Sequence, residues 1–130
     1  MVYRIFFVSI LARTISSCAG AVTAQPPPNV TVPALIIFGD SIMDTGNNNE
    51  LVTVVKCNFP PYGVDFPGRL PTGRFSNGKI PSDMIAEALG IADQIPPYLE
   101  TKKNSYDLTK GVSFASAGTG YDPQTALLAV

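Results

Sequence analysis

The sequence predicts an α/β fold that opens a parallel sheet and carries a long irregular loop. Residues 34–38 form a short, continuous apolar run that is typical of a buried strand, and residues 111–114 are predicted to form a second short strand. Between them, apolar residues recur at helical spacing after Pro81. The order strand, loop, helix, loop, strand is typical of the start of a βαβ arrangement, in which the two strands run parallel.

The first predicted strand, "ALIIF", is apolar at every position, which is typical of a strand buried on both faces of a parallel sheet. It runs into Gly39-Asp40-Ser41, whose residue types favour turns and helix N-termini. From Thr45 to Ile80 the chain is rich in Gly, Pro and Asn, and no apolar period of 2 or 3.6 persists. A loop this long is uncommon in a compact domain unless it is functional.

The predicted helix begins at Pro81 and Ser82 and ends at Gly90. Ser82 is an N-cap candidate, and Asp83 places negative charge at the positive end of the helix dipole. The residues expected on the apolar face are Met84, Ile85, Ala88 and Leu89. A polar, irregular segment follows, and the second strand then breaks into the small residues "SAGTG".

Composition excludes several classes of function. Hydrophobic residues make up 45% of the chain and charged residues 15%, which is globular rather than disordered composition. The net charge of -1, without a basic cluster, excludes nucleic acid as an expected partner. The chain contains no histidine, so it lacks the usual general base of serine hydrolases and the commonest metal ligand.

The first 24 residues predict a secretory signal peptide. A basic Arg4 precedes an apolar run over residues 5–12, and small residues lead to a cleavage position after Ala24. Arg13 interrupts the run well short of the roughly 20 apolar residues that a membrane span needs. The predicted organisation is a signal at 1–24, a Pro-rich leader at 25–33 and the domain at 34–130, in a secreted, extracellular protein.

Two residues acquire meaning from this export route. Asn29 begins the tripeptide Asn-Val-Thr in the leader and is a predicted N-glycosylation site. Cys57 is the one cysteine left after removal of the signal, which takes Cys18 with it. Either Cys57 is a buried free thiol, or its disulfide partner lies in sequence outside these 130 residues.

Both small-residue clusters follow predicted strands, at the carboxyl ends where parallel sheets bind ligands. Gly39-Asp40-Ser41 follows the first strand, and residues 116–120 follow the second. A serine at such a turn exposes its hydroxyl, and backbone N–H groups nearby can stabilise an oxyanion. Spacing alone does not distinguish this arrangement from an ordinary turn and a flexible loop.

Four segments together narrow the function. They are "FGDSIMDTGNNN", "CNFPPYGVDFP", "PTGRFSNGKIPSDMIAEALGI" and "GVSFASAGTGYDP", and in this order and spacing the chain resembles the plant GDSL esterase/lipase family of the SGNH hydrolase superfamily, with extracellular lipases as the closest subgroup. The likeness extends from about Ala34 to Pro123. It implies an incomplete SGNH-hydrolase (flavodoxin-like) three-layer fold, of which the chain holds only the first strands and helices.

The resemblance implies roles for individual residues. Ser41 matches the nucleophile, whose own N–H also donates to the oxyanion, and Gly118 matches the second oxyanion donor. Asp44 matches a residue expected to hold the turn after the nucleophile through bonds to the backbone. Asn47 and Asn48 match loop-fixing positions. The family implies an ester or lipid substrate, no metal or organic cofactor, and a location in the apoplast or cell wall.

Arg74, in "GRFSNGK", has two possible roles. It could bind substrate, but a guanidinium near a loop end more often bonds carbonyls or a carboxylate and stiffens the loop, which is the role we expect. The aromatic residues Phe59, Tyr62, Phe66 and Phe75 could line an acyl pocket or, as we expect, pack the long loop onto the core.

The chain departs from the family pattern at several positions. Ser113 stands where the family often has Asn, and Ala117 where it often has Gly. The third oxyanion donor of the family, in a Gly-x-Asn-Asp motif, and its base, in an Asp-x-x-His motif, do not occur here. We therefore expect the N-terminal part of a secreted serine hydrolase that is inactive alone; the alternative is a secreted binding protein that retains the hydrolase motifs.

Overall fold

A computed structural model of the protein describes residues 29–102 and 104–129. The predicted signal peptide at 1–24 and residues 25–28 of the leader lie outside the described residues. Asn29, the predicted glycosylation site, is exposed in a turn.

The two predicted strands form a parallel pair, as the sequence indicates. Strand β1 is Leu35–Ile37 and strand β2 is Gly111–Ser113, with Leu35 opposite Gly111 and Ile37 opposite Ser113. The hydrogen bonding between the two strands continues past their ends, where the N–H of Phe114 donates to the carbonyl of Ile37 at 2.8 Å. The chain segments that leave the two strands therefore lie side by side at one end of the sheet.

Strand β1 is not buried on both faces, contrary to the sequence prediction. Ile37 is 3% exposed, whereas Ile36 is 62% exposed and Phe38 is 72% exposed. Side chains alternate between the faces of a strand, and within the described residues only one face is covered. On the open face the ring of Phe38 stacks on that of Phe114, with centroids 5.5 Å apart.

The covered face packs onto a small core beneath the first helix. Helix α1 is Pro81–Ala88 and helix α2 is Pro123–Ala129. The buried core comprises Ile37, Ala86, Ile91, Ile95 and Ala115. Burying these apolar side chains is the main force that holds β1, α1 and the segment after β2 together.

Helix α1 departs from its sequence prediction in two respects. Ser82 does not cap the helix; its hydroxyl donates to the carbonyl of Met43 at 2.9 Å, and the carboxylate of Asp83 instead accepts from the N–H of Ile80 at 3.2 Å. The expected apolar face is wrong in part, since Met84 and Ile85 are 56% and 42% exposed, whereas Leu89 packs against the core. Ser82 and Asp83 face the protein interior because the carbonyl of Met43 and the guanidinium of Arg74 bind them there.

The end of helix α1 and the irregular loop match the prediction. Gly90 has a φ of +68°, the left-handed conformation that ends helices and that glycine adopts without strain. The long loop contains only short 3₁₀ turns. Such turns occur there at Asn47–Glu50 and Pro67–Arg69, and two more lie between α1 and β2, at Tyr98–Lys102 and Leu108–Lys110.

Neither helix α1 nor any other helix in the described part of the chain combines the length and the apolar character needed to span a membrane.

Candidate active site

Ser41 lies in a tight turn directly after strand β1. The turn is closed by the N–H of Met43, which donates to the carbonyl of Asp40 at 3.1 Å, and by the N–H of Ile42, which donates to Asp40 Oδ1 at 3.0 Å. Ser41 is half-buried, and neither its hydroxyl nor its N–H bonds to a described residue. Both groups of Ser41 are thus free to contact a ligand.

The connection after strand β2 is bonded to the same turn. The N–H of Ser116 donates to the carbonyl of Gly39 at 3.1 Å, and the hydroxyl of Thr119 donates to that same carbonyl at 3.0 Å. Gly118 lies between them with a φ of +87°, which disfavours any residue with a Cβ. Its N–H donates to no described residue. The Ser41 turn and the Gly118 loop are therefore held next to each other through Gly39.

Asp44 ties the turn to this loop from beneath. Its Oδ1 accepts from the N–H groups of Gly46 at 2.8 Å and Asn47 at 2.7 Å, and its Oδ2 accepts from the N–H of Ala117 at 3.1 Å. Burial raises the pKa of Asp44, while these backbone donors act in the opposite direction. One carboxylate thus fixes both connections.

Asn47 fixes the beginning of the segment that leaves strand β2. Its Nδ2 donates to the carbonyls of Ser113 at 2.8 Å and Ala115 at 2.7 Å. Its Oδ1 accepts from the N–H of Leu99 at 3.0 Å. The side chain is 2% exposed, so these bonds satisfy a buried amide rather than a surface one.

Asn48 fixes the next part of the same segment. Its Nδ2 donates to the carbonyls of Ala117 at 3.0 Å and Val55 at 2.9 Å. Its Oδ1 accepts from the N–H of Ala117 at 3.0 Å and from the hydroxyl of Ser116 at 2.6 Å. The side chain is 1% exposed, and every hydrogen-bonding position of its amide is filled.

Arg74 lies beneath the site and is 4% exposed. Its Nε and Nη2 bond the two carboxylate oxygens of Asp83 at 2.7 and 2.9 Å. The remaining donors reach the carbonyl of Thr45 at 3.1 Å and that of Ile95 at 3.1 Å. Four of the five guanidinium N–H groups are thus bonded inside the protein, an arrangement that fits the stiffening role.

An open cleft lies at the Gly39–Asp40 end of the Ser41 turn, and neither Ser41 nor Gly118 is among the residues that line it. It has a volume of about 370 Å³ and is lined by Gly39, Asp40, Thr119, Gly120 and Tyr121. That volume is at the lower end of the range for small-molecule sites. None of the four aromatic residues considered for an acyl pocket lines it: Phe59, Tyr62 and Phe75 contact one another, and Phe66 is buried beneath Arg74.

Two contributors to the site were not assigned from the sequence. The position of Asp83 in the first turn of α1 predicts only a favourable interaction with the helix dipole, yet its carboxylate is the bidentate partner of Arg74. Ser116 lies in the "SAGTG" segment but had no role, and it bonds Asn48. A buried Arg74 needs a carboxylate partner, so the sequence indicates that some Asp or Glu side chain pairs with it, although not which one. No local sequence pattern indicates the contact between Ser116 and Asn48.

Cys57 is fully buried, at 0% exposure, and its thiol donates to the carbonyl of Gly73 at 2.8 Å. Burial, and secondarily the charge of Asp44, raises the pKa of Cys57 from 9.0 to about 12. Among the described residues Cys57 is a buried free thiol. Residues 29–102 and 104–129 also contain no group of three or more His, Cys, Asp or Glu side chains placed to hold a metal ion.

Cys57 should therefore resist alkylation in the folded protein. A pKa three units above 9.0 lowers the thiolate fraction at pH 8 by about a thousandfold, and burial blocks the reagent as well. Iodoacetamide labelling of the Cys57 peptide, followed by mass spectrometry, should be slow in native buffer and complete in guanidinium chloride. Rapid labelling of the native protein would show that the thiol is exposed.

Comparison with known proteins identifies the family. The family model described as GDSL-like lipase/acylhydrolase matches residues 35–129. GDSL esterase/lipase At5g42170 of Arabidopsis thaliana is 63% identical over 109 residues, which cover 84% of this chain and 30% of that protein. GDSL esterase/lipase At3g14820 of the same plant is 67% identical over 98 residues, which cover 75% of this chain and 28% of that protein.

A third relative, GDSL esterase/lipase At3g43550 of Arabidopsis thaliana, is 65% identical over 98 residues, covering 75% of this chain and 34% of that protein. The chain thus spans about a third of the length of the curated relatives it matches. No solved structure matches it.

Proposed function

Since this chain belongs to the GDSL-like lipase/acylhydrolase family, we propose that it forms the nucleophile-bearing part of a carboxylic ester hydrolase. One observation carries the proposal. The Ser41 turn and the Gly118 loop are bonded to each other through Gly39, while the Ser41 hydroxyl, the Ser41 N–H and the Gly118 N–H bond to no described residue. These are the three groups that acyl transfer needs in one place.

In the proposed reaction, Ser41 Oγ attacks the carbonyl carbon of an ester and its proton passes to a base. The N–H groups of Ser41 and Gly118 stabilise the oxyanion that forms. The tetrahedral intermediate expels the alcohol and leaves an acyl-enzyme on Ser41 Oγ. Water then attacks the acyl group, and a carboxylic acid is released. These reaction steps need no metal or organic cofactor.

These 130 residues contain no histidine, the usual base of serine hydrolases. A serine hydroxyl is a weak nucleophile at neutral pH without such a base. We therefore propose that a longer protein supplies it, in a complete three-layer SGNH fold, and that the 130-residue chain alone does not hydrolyse esters.

The same proposal extends to location. The N-terminal pattern of residues 1–24 supports export to the extracellular space, with Asn29 glycosylated on the way. The exposed turn at Asn29 leaves room for a glycan.

Hydrolysis of 4-nitrophenyl butyrate by two purified proteins tests the proposal. The natural-length protein that contains this chain should turn over the ester, and the 130-residue chain should not. Matched turnover by the two would contradict a base outside these residues. A natural-length protein that folds but hydrolyses no short-chain or long-chain ester would instead favour a secreted binding protein.

A further inference from the structure

The peptide that joins Ala117 to Gly118 carries the N–H that the proposed function uses as its second oxyanion donor. The inference below rests on that proposed function. In a planar trans peptide the C=O and the following N–H point in opposite directions. The cis peptide bond among the described residues is Pro60–Pro61, so the Ala117–Gly118 bond is trans. Whatever fixes the Ala117 carbonyl therefore fixes the direction of the Gly118 N–H.

Asn48 is the side chain that fixes this carbonyl. Its Nδ2 donates to the Ala117 carbonyl at 3.0 Å, and its Oδ1 accepts from the Ala117 N–H at 3.0 Å. One amide thus bonds the backbone on both sides of the Ala117 Cα. We infer that Asn48 is a positioning residue for catalysis, which orients the Gly118 N–H toward the oxyanion.

The orientation of the Asn48 amide is itself determined by its surroundings. Nδ2 faces two carbonyl oxygens, those of Ala117 and Val55, and Oδ1 faces an N–H and the hydroxyl of Ser116. A flipped amide would place Oδ1 against two carbonyls and lose all four bonds. The side chain is 1% exposed, so water cannot replace the lost bonds.

Gly118 is the residue that needs this external control. Its φ of +87° is one that glycine adopts without strain, and its own N–H donates to no described residue. The turn is closed by the Thr119 N–H, which donates to the Ser116 carbonyl at 3.3 Å, but this bond contacts neither the C=O of Ala117 nor the N–H of Gly118. Asp44 adds a bond to the Ala117 N–H at 3.1 Å but none to the carbonyl, so Asn48 is the side chain that grips the C=O.

Asn48→Asp in the natural-length protein removes the Nδ2 donor with little change of shape. An oxygen then faces the Ala117 carbonyl, and the peptide is driven to turn away. Loss of one oxyanion donor typically lowers kcat by about 10²- to 10³-fold. We expect that loss in kcat with KM for 4-nitrophenyl butyrate changed less than about threefold, because the donor acts in the transition state.

Asn47→Asp is the matched control. Asn47 is equally buried, and its Nδ2 also donates to two carbonyls of the same segment, those of Ser113 and Ala115. Neither carbonyl shares a peptide bond with Gly118. The Asn47 variant should therefore lose stability similarly yet keep kcat, per folded molecule, within about threefold of the parent.

Affinity for a trifluoromethyl ketone, which forms an oxyanion on the nucleophile, should fall in parallel with kcat in the Asn48 variant only. If either aspartate variant does not fold, Asn48→Ser and Asn47→Ser provide the same comparison without a new charge. Equal losses of kcat in both members of a pair would reduce Asn48 to a structural residue. An Asn48 variant with unchanged kcat, in a protein whose activity requires Ser41, would overturn this inference alone and leave the proposed function standing.

Discussion

Replacing Ser41 with alanine should lower kcat of the natural-length protein by about 10⁶-fold, the loss measured when a serine nucleophile is removed. The fold should not change, because the Ser41 hydroxyl makes no hydrogen bond to a described residue and its removal leaves nothing unpaired. Steady-state hydrolysis of 4-nitrophenyl butyrate and a thermal melt of the same sample measure both effects.

Ser105→Ala is the control for this experiment. Ser105 is an exposed serine of the irregular segment before β2, and it is not among the residues that line the cleft. The Ser105→Ala variant should hydrolyse 4-nitrophenyl butyrate at the rate of the parent protein, within error. If Ser41→Ala retained more than a tenth of the activity while folded, another residue would have to be the nucleophile.

Replacing Arg74 with methionine should destabilise the protein by about 3–5 kcal/mol, the cost typical of breaking a buried ion pair from one side. The Asp83 side chain is fully buried at 0% exposure, and its carboxylate would lose both guanidinium bonds. The carbonyls of Thr45 and Ile95 would lose a donor as well. Urea unfolding monitored by circular dichroism gives the change in the free energy of unfolding.

The exposed ion pair of the same region provides the control. Lys79 and Glu87 approach to 2.9 Å, but their side chains are 32% and 54% exposed. Lys79→Met should leave the free energy of unfolding unchanged within error, because solvent screens such pairs. Arg74→Met together with Asp83→Leu should be less destabilising than the sum of the single changes, since no charge is then left buried alone. Strict additivity would contradict a direct interaction.

The parallel pair of strands could be predicted because it depends on local information. Each strand is a short apolar run that ends in small residues, and the helical period between them implies a parallel crossover. The end of helix α1 at Gly90 is equally local. The family likeness also rests on four segments whose residues are read directly from the sequence.

Features that depend on contacts between distant segments could not be predicted. Ser82 is a good capping residue by type, but a carbonyl of the Ser41 turn, 39 positions away, binds its hydroxyl instead. Met84 and Ile85 have the right spacing for an apolar face, yet the Arg74–Asp83 pair sets which side of α1 turns inward. The two-sided grip of Asn48 on Ala117 joins positions 69 apart, which no local pattern encodes.

The most direct test of the central claim is the site at which a fluorophosphonate reacts with the natural-length protein. A serine nucleophile displaces fluoride from such a reagent and keeps the phosphonyl group on its Oγ. Peptide mass spectrometry should find one phosphonyl group, on Ser41, in proportion to the loss of hydrolytic activity. Loss of activity with Ser41 unmodified, or with the group on another residue, would contradict the claim that Ser41 is the nucleophile.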